Sequence, residues 1–327
     1  MSEKMILEIK NLCTNFHTEK GIIRAVDSVD LSIPAGKIVG LVGESGCGKS
    51  MTARSVMGLV HYPGRIDEGS ILLDGKELCG LPEKELRELC GNEVSMIFQE
   101  PMTSLNPVLR VGRQVEEVLL AHGTVSTKEE AKERTVDMFR RVGIPEPEQR
   151  LSSYPHELSG GLRQRVMIAM AMVCSPKLLI ADEPTTALDV TIEAQILRLM
   201  KQLCEENGMS VLIITHNLGV VAEICDYVYV MYAGRIVESA PVFSLFDHTA
   251  HPYTKGLLAS IPVIGKEAGL LHTIPGVVPN LLHLPKGCPF SNRCEKASEI
   301  CRSELPELNP AGEDHFSRCH IHTGGPL

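Results

Sequence analysis

No apolar run in this 327-residue chain approaches the roughly 18 to 20 residues needed to cross a bilayer. The best candidates, at 166–174 and 211–215, are half that length or less, so the chain is not expected to span a membrane by itself. Positive charge is also scarce. Against 41 Asp and Glu stand 32 Lys and Arg, a formal charge of −9, which excludes the surplus of cations by which nucleic-acid binders neutralise phosphate backbones. Any phosphate must therefore be held locally. Residues 1–10 mix Glu, Lys and Ile without the apolar core of a signal peptide, so the expected compartment is the cytoplasm. Internal repeats and low-complexity tracts are absent, which rules out solenoids and coiled-coil arrays.

With 43% hydrophobic and 22% charged residues, the chain can bury a large core and is not disordered throughout. Its length suits about two domains. Residues 5–42 read as strands interrupted by a Pro34-Ala35-Gly36 turn, and the Gly-rich loop after residue 42 opens a helix over about 49–60. Residues 64–81 carry turn signals between short apolar runs, as small antiparallel strands do. Apolar residues at three-to-four spacing predict helices over 113–122 and 128–142. The short runs 178–181 and 211–215 read as buried parallel strands joined by a helix over 192–204. Together they predict an α/β fold with a parallel sheet and crossover helices. Beyond residue 240, nine prolines from Pro241 to Pro310 break every potential long helix, so this stretch reads as an appendage with little core of its own.

Three motifs carry chemistry. Gly43, Glu44, Ser45, Gly46, Cys47, Gly48, Lys49 and Ser50 fit G-x-x-x-x-G-K-[ST] between a strand and a helix whose next residue is Met51. The loop amides can cradle phosphates, Lys49 can reach the β and γ phosphates, and the Ser50 hydroxyl can bind Mg²⁺. The apolar run 178–181 ends in Asp182 and Glu183. These carboxylates can serve the Mg²⁺ hydration shell and polarise the attacking water, respectively, the two tasks of phosphoryl transfer. Leu158, Ser159, Gly160 and Gly161 precede a helix whose N-terminal amides and dipole favour an anion, although a plain N-cap explains the same residues.

The P-loop, Gln99, the Leu158–Gly161 tetrapeptide, the Asp182-Glu183 strand end, Ala187-Leu188-Asp189 and Thr215-His216-Asn217, in this order, resemble the nucleotide-binding subunit of an ATP-binding cassette (ABC) transporter. Gln99-Glu100-Pro101-Met102-Thr103-Ser104-Leu105-Asn106-Pro107, Tyr154-Pro155-His156-Glu157 and His251-Pro252-Tyr253-Thr254 are similar to the dipeptide and oligopeptide importer ATPases. The resemblance implies a P-loop NTPase cassette over residues 1–240. Within it lie a RecA-like core, an antiparallel β subdomain and a helical signature subdomain at about 102–174, with a C-terminal extension over 241–327. It also implies residue roles. Phe16 would stack on adenine, Gln99 would contact Mg²⁺ and the lytic water, and His216 would hold the γ-phosphate and orient Glu183. Asp189 would lie at a dimer seam, while Ser159, Gly160 and Gly161 would complete the ATP site of an opposing cassette. Asn217 departs from the Asp more usual after the His, which leaves the local hydrogen bonds open. The implied partners are a second ATPase subunit, identical or not, two transmembrane permeases and an extracytoplasmic peptide-binding protein, with this chain peripheral on the cytoplasmic face of the membrane.

Eleven cysteines in a cytosolic chain should be mostly reduced, and four of them, Cys288, Cys294, Cys301 and Cys319, crowd the last forty residues. Four thiolates can bind an iron-sulfur cluster or tetrahedral Zn²⁺. Spacings of five, six and seventeen intervening residues are wider than those of usual zinc pairs and favour the cluster. The peptide-importer resemblance likewise implies a [4Fe-4S] centre, with zinc or unligated thiols as alternatives. His315, His320 and His322 are candidates for a zinc site or for solvated surface. Cargo is nearly silent: peptides lead, and nickel or another small solute is the rival within the family. A soluble cassette ATPase acting on DNA or ribosomes is disfavoured, since neither long coiled coils nor a second fused cassette is present.

Overall fold

The structure, a computed structural model, describes residues 3–99, 104–185, 190–261 and 273–322. Residues 100–103, Asp189 and the segment 262–272 lie outside the described residues. The chain divides into two compact units, the first built mainly from residues 80–213 and the second from 7–33, 38–79 and 214–327.

In the first unit, Val94–Ile97 pairs parallel with Leu178–Asp182, in register Val94↔Leu178 to Ile97↔Ala181. Ser210–Thr215 is the next strand after Leu178–Asp182. Every residue of these three strands is buried, which is why their sequences run continuously apolar instead of alternating. The crossover helix, Val190–Asn207, is longer than the expected 192–204. Three further helices, Val111–Ala121, Lys128–Arg141 and Gly160–Met172, pack on one another. Their buried stripes include Val111, Val115 and Leu119 on the first and Ala131, Met138 and Phe139 on the second, each large side chain contributing about 1.5–3 kcal/mol. Thr127 caps the second of them, accepting from the Glu130 amide at 3.2 Å, while Arg140 and Arg141 face its negative C-terminal end.

The second unit holds an antiparallel sheet in the order Gly21–Pro34, Met5–Thr18, Gly64–Leu73, Lys76–Glu77. It also contains five strands in the order Asn309–Gly312, His315–Ser317, Arg235–Pro241, Tyr227–Tyr232, Ile38–Val42. Ile38–Val42 runs parallel to Tyr227–Tyr232, and the other pairings are antiparallel. The helix after the P-loop covers Lys49–Val56 and ends before the expected residue 60, because the Leu59 amide turns back to the Arg54 carbonyl at 2.8 Å.

The C-terminal segment differs from the Pro-broken appendage expected of it. Its helices are short, Val242–Asp247, Pro252–Ala259 and Glu299–Ser303, but it supplies two strands to the sheet edge and buries Leu245, Tyr253 and Phe290. His315, a candidate for metal or surface, is neither. Its ring is 2% exposed and its Nε2 lies 2.8 Å from Glu238 Oε1, itself fully buried. His320 Nε2 instead reaches the Glu304 carbonyl at 3.0 Å, and the His322 side chain lies outside the described residues.

Candidate functional site

The phosphate-binding loop grows from the wholly buried strand Ile38–Val42. A Cβ on Gly43 would lie 2.2 Å from the Met231 carbonyl oxygen, and one on Gly48 2.3 Å from that of Ala25, with φ at 153° and 112°. Only glycine fits either position. The Lys49 ammonium is buried and donates to the Gly43 and Glu44 carbonyls at 2.7 and 3.0 Å. It is thereby curled over the loop, while Ser45 and Gly46 are exposed at the crest and Ser50 and Met51 are half-buried at the helix start. Cys47 is fully buried, and burial pushes its thiol up despite the neighbouring Lys49. A thiol so held has little thiolate character and is a packing residue, not a redox handle.

In the same unit, Phe16 pairs with Gly64 across the strands, and its ring covers the space that a Gly64 side chain would need. The half-buried ring presents an aromatic face beside the strand end. His216 is exposed after the strand Ser210–Thr215. The Asn217 departure has a simple account: its side chain caps the helix Leu218–Ile224, accepting from the Gly219 amide at 2.9 Å, and its own amide donates to Thr215 Oγ1 at 2.9 Å. Asn caps as well as Asp.

In the first unit, Asp182 is buried at the end of its strand, and Glu183 follows with φ at 47°, a left-handed conformation costing roughly 1–3 kcal/mol in a non-glycine residue. Gln99 Nε2 donates to Glu183 Oε2 at 2.8 Å, so two residues 84 apart in sequence meet at the carboxylate expected to activate water. Gln164, buried on the helix after the signature, donates to the Pro184 carbonyl and fixes the turn just beyond. Nothing in the local sequence marks Gln164 for this task, since its partner lies 20 residues away. Ser159 does act as an N-cap, accepting from Leu162 at 3.4 Å. Ser159 and Gly160 are nonetheless exposed, and Gly161 is half-buried against Ile192.

Cys288, Cys294, Cys301 and Cys319 line one small cavity with Phe290 and Pro306, and all four are free thiols. Burial, then the other three sulfurs, pushes Cys288 up to about 11. The cavity volume is about 10 Å³, room for no more than one water. Among the described residues no group of three or more His, Cys, Asp or Glu has the arrangement of a metal site. The expected metal centre is therefore not formed in this structure, although its four expected donors converge.

Comparison with known proteins extends these observations. A family model described as ABC transporter matches residues 26–186, and one described as the oligopeptide/dipeptide transporter C-terminal region matches residues 237–301. The oligopeptide transport ATP-binding protein AppD of Bacillus subtilis is 53% identical over 318 residues, 97% of each chain. OppD of Salmonella typhimurium, also an oligopeptide transport ATP-binding protein, is 52% identical over 302 residues, 92% of this chain and 90% of its own. A dimeric ATP-binding cassette solved in a post-hydrolysis state with ADP and phosphate matches with a TM-score of 0.66 at 28% identity, covering 72% of this chain and 98% of that one. The cassette fold read from the motifs is thus confirmed. Among the described residues no helix is long and apolar enough to cross a membrane. On these grounds the chain belongs to the family of ATP-binding subunits of peptide-importing ABC transporters.

Proposed function

We propose that this chain hydrolyses ATP to ADP and phosphate to energise the import of di- or oligopeptides, working from the cytoplasmic face of the membrane with a second ATPase subunit, two permeases and a peptide-binding protein. The observation that carries this reading is its near-full-length identity with relatives named for oligopeptide transport. The site residues support it. Lys49 and the loop amides from Gly43 to Met51 would hold the phosphates, with Phe16 on the adenine. Mg²⁺ supplies charge neutralisation on the phosphates when bound, and Ser50, Gln99 and Asp182 are the residues that would hold it. Glu183, which accepts from Gln99, would take the proton of the attacking water, and His216 would hold the γ-phosphate. Ser159, Gly160 and Gly161 would close on ATP held by the second cassette, with Asp189 at the seam. ATP would favour the closed dimer because both faces touch it only there. We take residues 1–240 as the cassette and 241–327 as the extension.

Uptake of labelled dipeptides, longer peptides and Ni²⁺ tests the assignment in cells lacking this gene. Peptide uptake is expected to fall and to return with the wild-type chain but not with Glu183→Gln. Loss of Ni²⁺ uptake alone would assign the chain to metal import instead.

The four converging thiols fit a thiolate-bound centre by donor chemistry. We assign Cys288, Cys294, Cys301 and Cys319 to a [4Fe-4S] cluster, which demands that the small cavity open on loading. Anaerobically purified full-length protein is expected to be brown and to carry about four irons per chain. A colourless preparation rich in zinc would replace the cluster with a tetrahedral Zn²⁺ site.

A further inference from the structure

The residue that follows the first P-loop glycine has every polar group occupied, and two of its partners come from the C-terminal extension. The Glu44 carboxylate receives a two-pronged contact from Arg293, Nη1 to Oε2 at 2.6 Å and Nη2 to Oε1 at 3.0 Å. Its amide donates to the Tyr253 hydroxyl at 2.8 Å, and its carbonyl accepts from the Lys49 ammonium at 3.0 Å.

Arg293 does not swing freely to make this contact. Its side chain is 5% exposed, and its remaining donors reach the Pro275 and Ile274 carbonyls at 2.9 and 3.3 Å and the Tyr232 hydroxyl at 3.3 Å. The guanidinium lies 5.8 Å from the Tyr232 ring centre and 5.9 Å from that of Phe290. Tyr232, Tyr253 and Phe290 pack mutually at 4.6 to 5.4 Å. The fork is therefore locked before it meets the carboxylate, which is the condition under which a bidentate pair contributes most.

We propose that Arg293 and Tyr253 are positioning residues for ATP: by fixing Glu44 they set the entry of the P-loop and the seat of Lys49, so the extension forms part of the nucleotide site. Neither residue touches phosphate; each acts through Glu44. A loop held in its binding conformation before ATP arrives loses less freedom on binding, so removing the hold weakens affinity and leaves the chemical step alone.

The inference rests on the P-loop being the phosphate site, and Lys49→Ala is the control that separates the two. The full-length chain is titrated with a fluorescent ATP analogue, and KM and kcat of its ATPase are measured. Glu44→Gln keeps the shape of a partly exposed side chain, and Arg293→Lys keeps the charge but not the fork. Each is expected to raise Kd and KM roughly tenfold, and Arg293→Lys, which lies outside the loop, is expected to keep kcat within about twofold of wild type. The double variant should be no weaker than either single one, because both remove the same interaction. Tyr253→Phe should cost a few-fold. Wild-type affinity in both Glu44→Gln and Arg293→Lys, a lowered kcat at unchanged KM, or a double effect equal to the product of the singles would overturn the proposal. Near-UV circular dichroism of Glu44→Gln, expected to match wild type, separates a lost hold from a lost fold, and a changed spectrum would count against it. Normal ATP binding by Lys49→Ala would remove the reading beneath it.

Discussion

Glu183→Gln is expected to abolish most ATP hydrolysis while leaving ATP binding intact, with turnover falling by roughly 10²–10⁴, the usual worth of a positioned general base. The substitution is nearly isosteric. Its carbonyl oxygen can still accept from Gln99 Nε2, which now lies 2.8 Å from Glu183 Oε2, so the turn should survive. What is lost is a group able to take a proton from water. The left-handed backbone at this position makes the choice of Gln important: a glycine there would relax the backbone and confuse loss of the base with loss of geometry. Because ATP holds the proposed closed dimer together, the variant should also accumulate as an ATP-bound dimer, visible by size-exclusion chromatography with light scattering. Turnover equal to wild type would place the water-activating group elsewhere.

The second large effect concerns stability. Glu238→Ala is expected to cost about 3–5 kcal/mol, the range for breaking one side of a buried, hydrogen-bonded pair. Glu238, fully buried on the strand Arg235–Pro241, accepts from the Ala250 and His251 amides at 2.6 and 3.0 Å and faces His315 Nε2 at 2.8 Å. Removing it leaves two buried amides and an imidazole without their acceptor. The melting temperature should drop by on the order of 10 °C, and limited proteolysis should cut first beyond residue 241. The pH dependence has a definite sign. Burial raises the Glu238 pKa, but the hydrogen bonds made to its carboxylate, that of His315 foremost, outweigh it and hold the carboxyl below its ordinary value. Its stabilisation is therefore complete above the unfolded-state pKa and disappears as pH falls through the lower folded value. Wild type should lose stability through that acid window, and Glu238→Gln should lose less. An Ala variant that melts and digests like wild type would show that other contacts hold the extension.

How far the sequence was legible depended on how local each feature is. The P-loop strand and helix, the buried strands Leu178–Asp182 and Ser210–Thr215 and the three helices of the first unit follow from apolar period and capping residues within a few positions, and they were read to within a few residues. The hairpin Tyr227–Tyr232 with Arg235–Pro241 has no local signature, because the first strand is apolar at every position and the second is buried but for its ends, so neither alternates polar with apolar residues. The extension was misjudged for a related reason. Prolines open two of its helices, Pro241 as the N-cap of Val242–Asp247 and Pro252 in the first turn of Pro252–Ala259, but they do not prevent short strands such as His315–Ser317 from joining an edge already provided by Arg235–Pro241.

By itself the sequence determined the phosphate-binding loop, the carboxylate pair at residues 182–183 and the exposed signature turn. In each of these a stretch of about eight residues carries its own geometry, since backbone amides and glycines at fixed offsets need no distant partner. Tertiary structure alone decided that Gln99 meets Glu183, that His315 is buried against Glu238, and that Arg293 grips Glu44 across 249 residues of chain. Each of these is a single polar contact between side chains whose positions depend on the whole intervening path. No local pattern encodes such a path, and the contact persists only where packing on every side has already excluded water.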